Sequence, residues 1–223
     1  MIKPRVAAAA ALLAFASATT ALAMPPDFIK LSAVASDIKQ DMRYAGADNF
    51  TGAAAPGYDH PVCWLKLKAA IAMSRVAGAA AEQGLRPIVW DCYRPKQATA
   101  AFLRWAADAT NVAAKDIHFP RVAKSRLFAD GYISRKSTHS TGYAIDLGLL
   151  GKDGAPLDFG GGFDLFDSRS ATASAEVSAE ARANRAKLVA LMAARGFVNN
   201  PREWWHFSLP HGADVLYDAP IER

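Results

Sequence analysis

Residues 137–150 read STHSTGYAIDLGLL. The second half, Tyr143 to Leu150, alternates and is apolar, and only Asp146 interrupts it. A run of that length and character suits a strand buried in the middle of a sheet. The first half is short and polar, with Gly142 marking a turn into the strand. His139 and Asp146 are seven residues apart in this small segment. Three readings are open for the pair: metal ligands, a proton-transfer couple, or an ordinary loop in which His139 bonds the backbone of the turn.

Outward from this strand, the spacing of apolar residues predicts three helices. The first spans VCWLKLKAAIAMSRVAGAAAEQG, residues 62–84, with Leu65, Ala69, Ala72, Met73, Val76 and Ala80 on one face and Gly84 as the stop. LRPIVWDCY follows as a short β-rich run ended by Arg94-Pro95. The second helix, residues 96–110, puts Ala98, Phe102 and Trp105 on one face, and residues 111–136 look irregular. A Gly/Asp-rich loop, DGAPLDFGGGFDLFDSRS, leads to the third helix, residues 174–196, with Leu188, Leu191 and Met192 as core and Gly196 as its cap. FVNN, a turn at Pro201 and EWWHFSLP predict a terminal hairpin. The order lacks regular βαβ alternation, so the expected fold class is α+β, a small, mostly antiparallel sheet packed with helices.

The 223 residues allow one full-sized domain, or at most two small ones. Lys3 and Arg5, an apolar run from Val6 to about Phe15 and the small residues Ala21-Leu22-Ala23 have the form of a secretory signal peptide. That divides the chain into a leader, 1–23, and a single catalytic domain, 24–223, exported to the periplasm or beyond. The other reading is a membrane anchor, for which the apolar run is short. Removing Lys3 and Arg5 from the 26 basic residues leaves 24 against 21 acidic ones, a net +3 with no Lys/Arg block. Such a balance gives nucleic acid no electrostatic footing. The two cysteines, Cys63 and Cys92, fit equally a disulfide in an oxidising compartment and a pair of buried thiols.

Two of the five histidines stand in unusual company. His139 precedes Asp146, and His206 lies three residues after Glu203 in EWWHF. Two histidines and a carboxylate can fill three corners of a zinc tetrahedron and leave the fourth for water, with a further carboxylate as general base. Glu203 has the residue type for that base. In a regular strand, however, residues three apart point to opposite faces, so Glu203 and His206 share a site only if the chain bends between them or Glu203 sits in the turn after Pro201. Arg94, at the end of a strand, can stabilise an oxyanion, or simply pair with Asp91.

Taken together, STHSTGYAID is similar to the S-x-H-x-x-G-x-A-x-D signature of the zinc D,D-peptidase group, and EWWHF to that group's E-x-x-H element. DMRYAGADNFTG (residues 41–52), GYDH, WDCYRP and FDLF add matches in the same order to the D-alanyl-D-alanine dipeptidases of the VanX type. The resemblance runs from about Asp37 to His206 and implies a Hedgehog/D,D-peptidase-like fold and one zinc ion per chain. It implies that His139, Asp146 and His206 bind the metal and that Glu203 takes a proton from the attacking water and passes it to the leaving amine. Arg94 would stabilise the transition state, and Asp164 would pair with the ammonium of a small D,D-dipeptide. Ser137, Thr138, Tyr44 and Tyr58 would line the pocket, some of them meeting the substrate's carboxylate. Thr138 stands where serine is usual.

A site that clamps both charged ends of a dipeptide orients it and excludes longer chains. Asp164 is the residue that would separate a dipeptidase from a D,D-carboxypeptidase trimming peptidoglycan stems, the nearest alternative; its other reading is a turn former in a glycine loop. Two histidines and a carboxylate also make the facial triad of non-haem iron oxygenases, and a zinc-stabilised binding module is a further alternative. The pairing of Glu203 with Arg94 favours hydrolysis.

Overall fold

The computed structural model describes residues 23–210, 212 and 215–223. Apart from Ala23, the expected leader lies outside the described residues, as does His211. The strands are β1 (Phe28–Lys30), β2 (Lys39–Gln40), β3 (Trp64–Lys66), β4 (Arg86–Asp91), β5 (Ala144–Leu150), β6 (Val198–Asn199) and β7 (His206–Ser208). The helices are α1 (Leu67–Glu82), α2 (Lys96–Ala107), the short α3 (Lys115–His118) and α4 (Ala179–Ala193). The main sheet runs β2-β4-β5-β7-β6, antiparallel except for the β2–β4 pair, and β1 pairs with β3 separately. This is the α+β class expected.

The quoted strand, β5, lies in the centre, and all seven of its residues are buried. That accounts for its nearly continuous apolar sequence. Gly148 is small for a reason: a Cβ there would come within 2.6 Å of the Trp90 ring from the neighbouring strand. Gly142, at φ +79°, ends the turn before β5 in a conformation few residues other than glycine adopt, and a Cβ would collide with Phe28.

The first helix starts later than its periodicity implies. Trp64, Leu65 and Lys66 form β3 instead, because β1 supplies a partner in register Phe28↔Lys66. A three-residue strand whose partner lies far away leaves no period of its own to read. From Leu67 on, Ala69, Ala72, Met73, Val76 and Ala80 face the core as expected, and Gly84 follows the helix with φ +68°. The third helix also begins later, at Ala179, where the Ser178 hydroxyl accepts from the Ala181 N–H at 3.0 Å. Within it, fully buried Arg185 donates to the carbonyls of Phe159 and Ala171, tying the Gly/Asp-rich loop down onto α4.

Cys63 and Cys92 form a disulfide, which decides between the two readings. It joins the segment before β3 to the end of β4. Closing a loop with a 29-residue separation stabilises the fold by about 3–4 kcal/mol in the chain-entropy picture. Reduction is therefore expected to lower the urea midpoint by a corresponding amount, read as paired denaturation curves with and without reductant. An unchanged midpoint would contradict this.

The C-terminal residues strap this region. The Tyr217 N–H donates to the Ser140 carbonyl at 2.9 Å, the Lys96 N–H to Tyr217 O at 3.1 Å, and the Ile221 N–H to Gly57 O at 2.7 Å. Three segments that carry candidate site residues are thereby held by one piece of chain.

Candidate active site

Strand register builds the site. Asp146 of β5 pairs directly with His206 of β7 on one side and with Asp91 of β4 on the other. Register shifts between Val89 and Asp91, so Trp90 is an extra residue in β4. A bulge of this kind re-aims the residues beyond it. The result is a row, Asp91–Asp146–His206, across three neighbouring strands. His139 comes from the turn that precedes β5.

The three expected ligands converge. His206 Nδ1 is 2.9 Å from Asp146 Oδ1 and 3.0 Å from His139 Nε2, and His139 Nε2 is 3.1 Å from Asp146 Oδ2. Ligand atoms around a tetrahedral zinc ion lie about 3.3 Å apart, given bonds of about 2.0–2.1 Å, so this donor set fits one with small outward shifts. The other nitrogen of His139, Nδ1, donates to the Cys92 carbonyl at 2.7 Å. A carbonyl can only accept, so Nδ1 carries a proton, and on the neutral ring that leaves the Nε2 lone pair for a metal held between the three donor atoms. Burial opposes ionisation of Asp146; when His139 is protonated, its charge and hydrogen bond, with those of His206, hold the Asp146 carboxyl well below the usual range.

The bend between Glu203 and His206 is a turn. The Glu203 N–H donates to Asn200 O and the His206 N–H to Glu203 O, both at 3.1 Å, within the β6–β7 hairpin. Glu203 thus sits in the turn after Pro201, and its Oε2 is 3.9 Å from His206 Nδ1. Asn200 Nδ2 donates to the same oxygen at 3.1 Å. Trp204 and Trp205 anchor the turn from inside: both are buried, and Trp204 stacks on Phe159 with ring centres 4.1 Å apart. Burial raises the Glu203 pKa, and the nearby histidines offset it in part.

Arg94 lies between two carboxylates. Its Nε and Nη2 donate to Asp91 Oδ2 at 2.9 and 2.7 Å, and Nη2 is 3.9 Å from Asp146 Oδ2. Its guanidinium also stacks over Tyr44 and Phe102, at 5.0 and 5.2 Å from their ring centres. Burial would weaken its charge, but Asp91 more than restores it. Asp91 accepts at Oδ1 from the Tyr58 hydroxyl at 2.6 Å and from the Cys92 N–H at 2.9 Å. It therefore orients Arg94 and lies 3.4 Å from His139 Nδ1. In the sequence it stood only as a salt-bridge partner three residues before Arg94, since the bulge that makes it central leaves no local pattern.

Asp164 adopts φ +57°, alone among the described non-glycine residues in positive φ, and aspartate is one of the few side chains that tolerates it. The Tyr44 hydroxyl donates to its Oδ2 at 2.6 Å, and His118 Nδ1 meets its backbone carbonyl at 3.1 Å. Burial raises the Asp164 pKa well above the carboxylate norm, against the Tyr44 hydrogen bond. These groups share a cleft of about 390 Å³, within the size range of small-ligand sites. Arg94, His139, Asp146, Asp164, Glu203 and His206 all line it, and so do Tyr44, Ser137 and Thr138. Tyr58 does not: it is buried behind Asp91, and its hydroxyl is spent there. The expectation of a pocket-lining Tyr58 is corrected to one of support. Asn200 and Ser208, the latter 3.3 Å from His206 Nε2, join the cleft without a sequence signal of their own.

A family model described as D-ala-D-ala dipeptidase, of the M15 peptidases, matches residues 24–222. The chain belongs to the D-ala-D-ala dipeptidase family. Three curated relatives bear this out over most of their length. The D-alanyl-D-alanine dipeptidase of Streptomyces coelicolor is 36% identical over 89% of this chain and 100% of its own. That of Enterococcus faecium is 35% identical over 87% and 98%, and that of Escherichia coli 34% over 84% and 86%. With the family comes the Hedgehog/D,D-peptidase fold, which the mixed sheet and its helices match.

Proposed function

We propose that the protein is a zinc-dependent peptidase that hydrolyses D-alanyl-D-alanine to two D-alanines. The observation that carries this is one cleft holding a three-donor metal set, a carboxylate, a guanidinium and a second, buried carboxylate on positive-φ backbone. The relatives' names support the substrate. His139, Asp146 and His206 would hold the ion, which, when bound, acidifies water and polarises the scissile carbonyl. The chain's own groups do the rest. Glu203 accepts the proton of the attacking water and delivers it to the leaving amine. Arg94, fixed by Asp91, faces the oxyanion that forms on the carbonyl. Asp164, with Tyr44 on one oxygen, receives the substrate's ammonium; that cation favours the charged carboxylate which burial alone disfavours. Ser137 and Thr138 contribute hydroxyls to the wall.

The same reading takes residues 1–23 as a leader and 24–223 as one catalytic domain acting in the periplasm or outside the cell. The disulfide suits that compartment. No helix among the described residues is long and apolar enough to cross a membrane.

The decisive experiment is D-alanine release by metal-free protein reloaded with zinc. The free D,D-dipeptide, its N-acetyl derivative, the L,L isomer and a stem pentapeptide serve as substrates. Rapid, zinc-dependent turnover of the free D,D-dipeptide alone is expected. Preference for the pentapeptide would make the enzyme a D,D-carboxypeptidase instead. In Asp164→Asn, KM for the free dipeptide should rise about 10- to 100-fold, the loss of one charge-assisted contact, while the small rate with the N-acetyl form stays where it is.

A further inference from the structure

His139 is oriented by the Cys92 carbonyl, and His206 needs an equivalent. Its Nδ1 faces Asp146 and His139. Its other nitrogen, Nε2, lies 3.1 Å from Thr138 Oγ1 and 3.3 Å from Ser208 Oγ. If Nδ1 gives its lone pair to a metal, a neutral imidazole must carry its proton on Nε2, and both hydroxyls can accept that proton's hydrogen bond. Thr138 is suited to hold still while doing so. A β-branched side chain has few χ1 choices, and the Thr141 hydroxyl donates to the Thr138 carbonyl at 2.6 Å, fixing the backbone beneath it. Ser208 stands two residues after His206 on β7, hence on the same face of the strand.

We propose that Thr138, with Ser208 in support, is a positioning residue for the metal site: it accepts from His206 Nε2–H and so keeps Nδ1 unprotonated and aimed at the metal position it shares with Asp146 and His139. This rests on the metal reading above. It gives the threonine that replaces the usual serine a role in holding a ligand, whereas a pocket wall would touch only the substrate. Groups that orient a ligating histidine commonly change metal affinity 10- to 100-fold when removed.

The test uses free protein and no substrate. Zinc affinity is measured by chelator competition for the wild type, Thr138→Val, Thr138→Ala, Thr138→Ser, Ser208→Ala and the Thr138→Val/Ser208→Ala pair. Ring-nitrogen NMR of the zinc-loaded proteins reports the tautomer of His206. Thr138→Val and Thr138→Ala should each weaken zinc about 10-fold, the pair more, and Thr138→Ser should stay within about twofold of the wild type. The Nε2–H signal should exchange faster in Thr138→Val. Thr138 is exposed and Ser208 is only half-buried, so these changes leave the core intact. If Thr138→Val, Thr138→Ala and the pair all bind zinc as the wild type does, the proposal is overturned, even if KM rises. A wild type that binds no zinc overturns the metal reading and the proposal together.

Discussion

Glu203→Gln is expected to retain one equivalent of zinc and to lose kcat by about 10²- to 10⁴-fold, the usual contribution of a positioned general base. The substitution keeps the shape of the side chain. It also keeps an oxygen able to accept from Asn200 Nδ2, so the turn that carries Trp204 and Trp205 should persist. What goes is the ability to take up a proton 3.9 Å from a ligand atom. Zinc content by elemental analysis, circular dichroism and kcat on the same preparation check the three parts separately. Near-normal turnover in the zinc-loaded variant would falsify the role given to Glu203. Loss of zinc along with activity would make Glu203 part of the metal site itself.

Arg94→Ala carries two expected losses with different causes. Removing a donor aimed at the developing oxyanion should lower kcat about 10²- to 10³-fold. Removing the partner of a fully buried carboxylate should also destabilise the fold by about 3–5 kcal/mol, because Asp91 is left charged without its ion pair. The two effects separate in a double variant. Adding Asp91→Asn to Arg94→Ala neutralises the stranded charge, so stability should recover in part while activity does not. Urea midpoints and kcat for the two single variants and the pair make the comparison. If Arg94→Ala alone leaves both quantities near wild type, Arg94 is neither the oxyanion donor nor the counter-ion of Asp91. Arg94→Lys is expected to be intermediate, since it keeps the charge and loses the planar fork that reaches Asp91 with two nitrogens.

The local patterns of the sequence determined the helices, the central strand and the chemical types at the site. Periodicity reports burial: α1 keeps Met73 and Val76 inward, and β5 reads apolar because both of its faces are covered. Asp146 was legible as the one charge in an apolar strand, seven residues after His139, and as the last position of the S-x-H-x-x-G-x-A-x-D pattern. Only the tertiary structure decided the rest. The disulfide between Cys63 and Cys92, the β1–β3 pair that shortens the first helix and the withdrawal of Tyr58 behind Asp91 each join segments distant in the chain. The row Asp91–Asp146–His206 depends on a one-residue bulge in β4 and on the register of β7, and the shared site of Glu203 and His206 depends on the hairpin turn. A residue's neighbours along the chain record whether it is buried, whereas the register between strands records which buried residues meet. The first is written in spacing; the second is set by long-range pairing and packing that no short stretch contains.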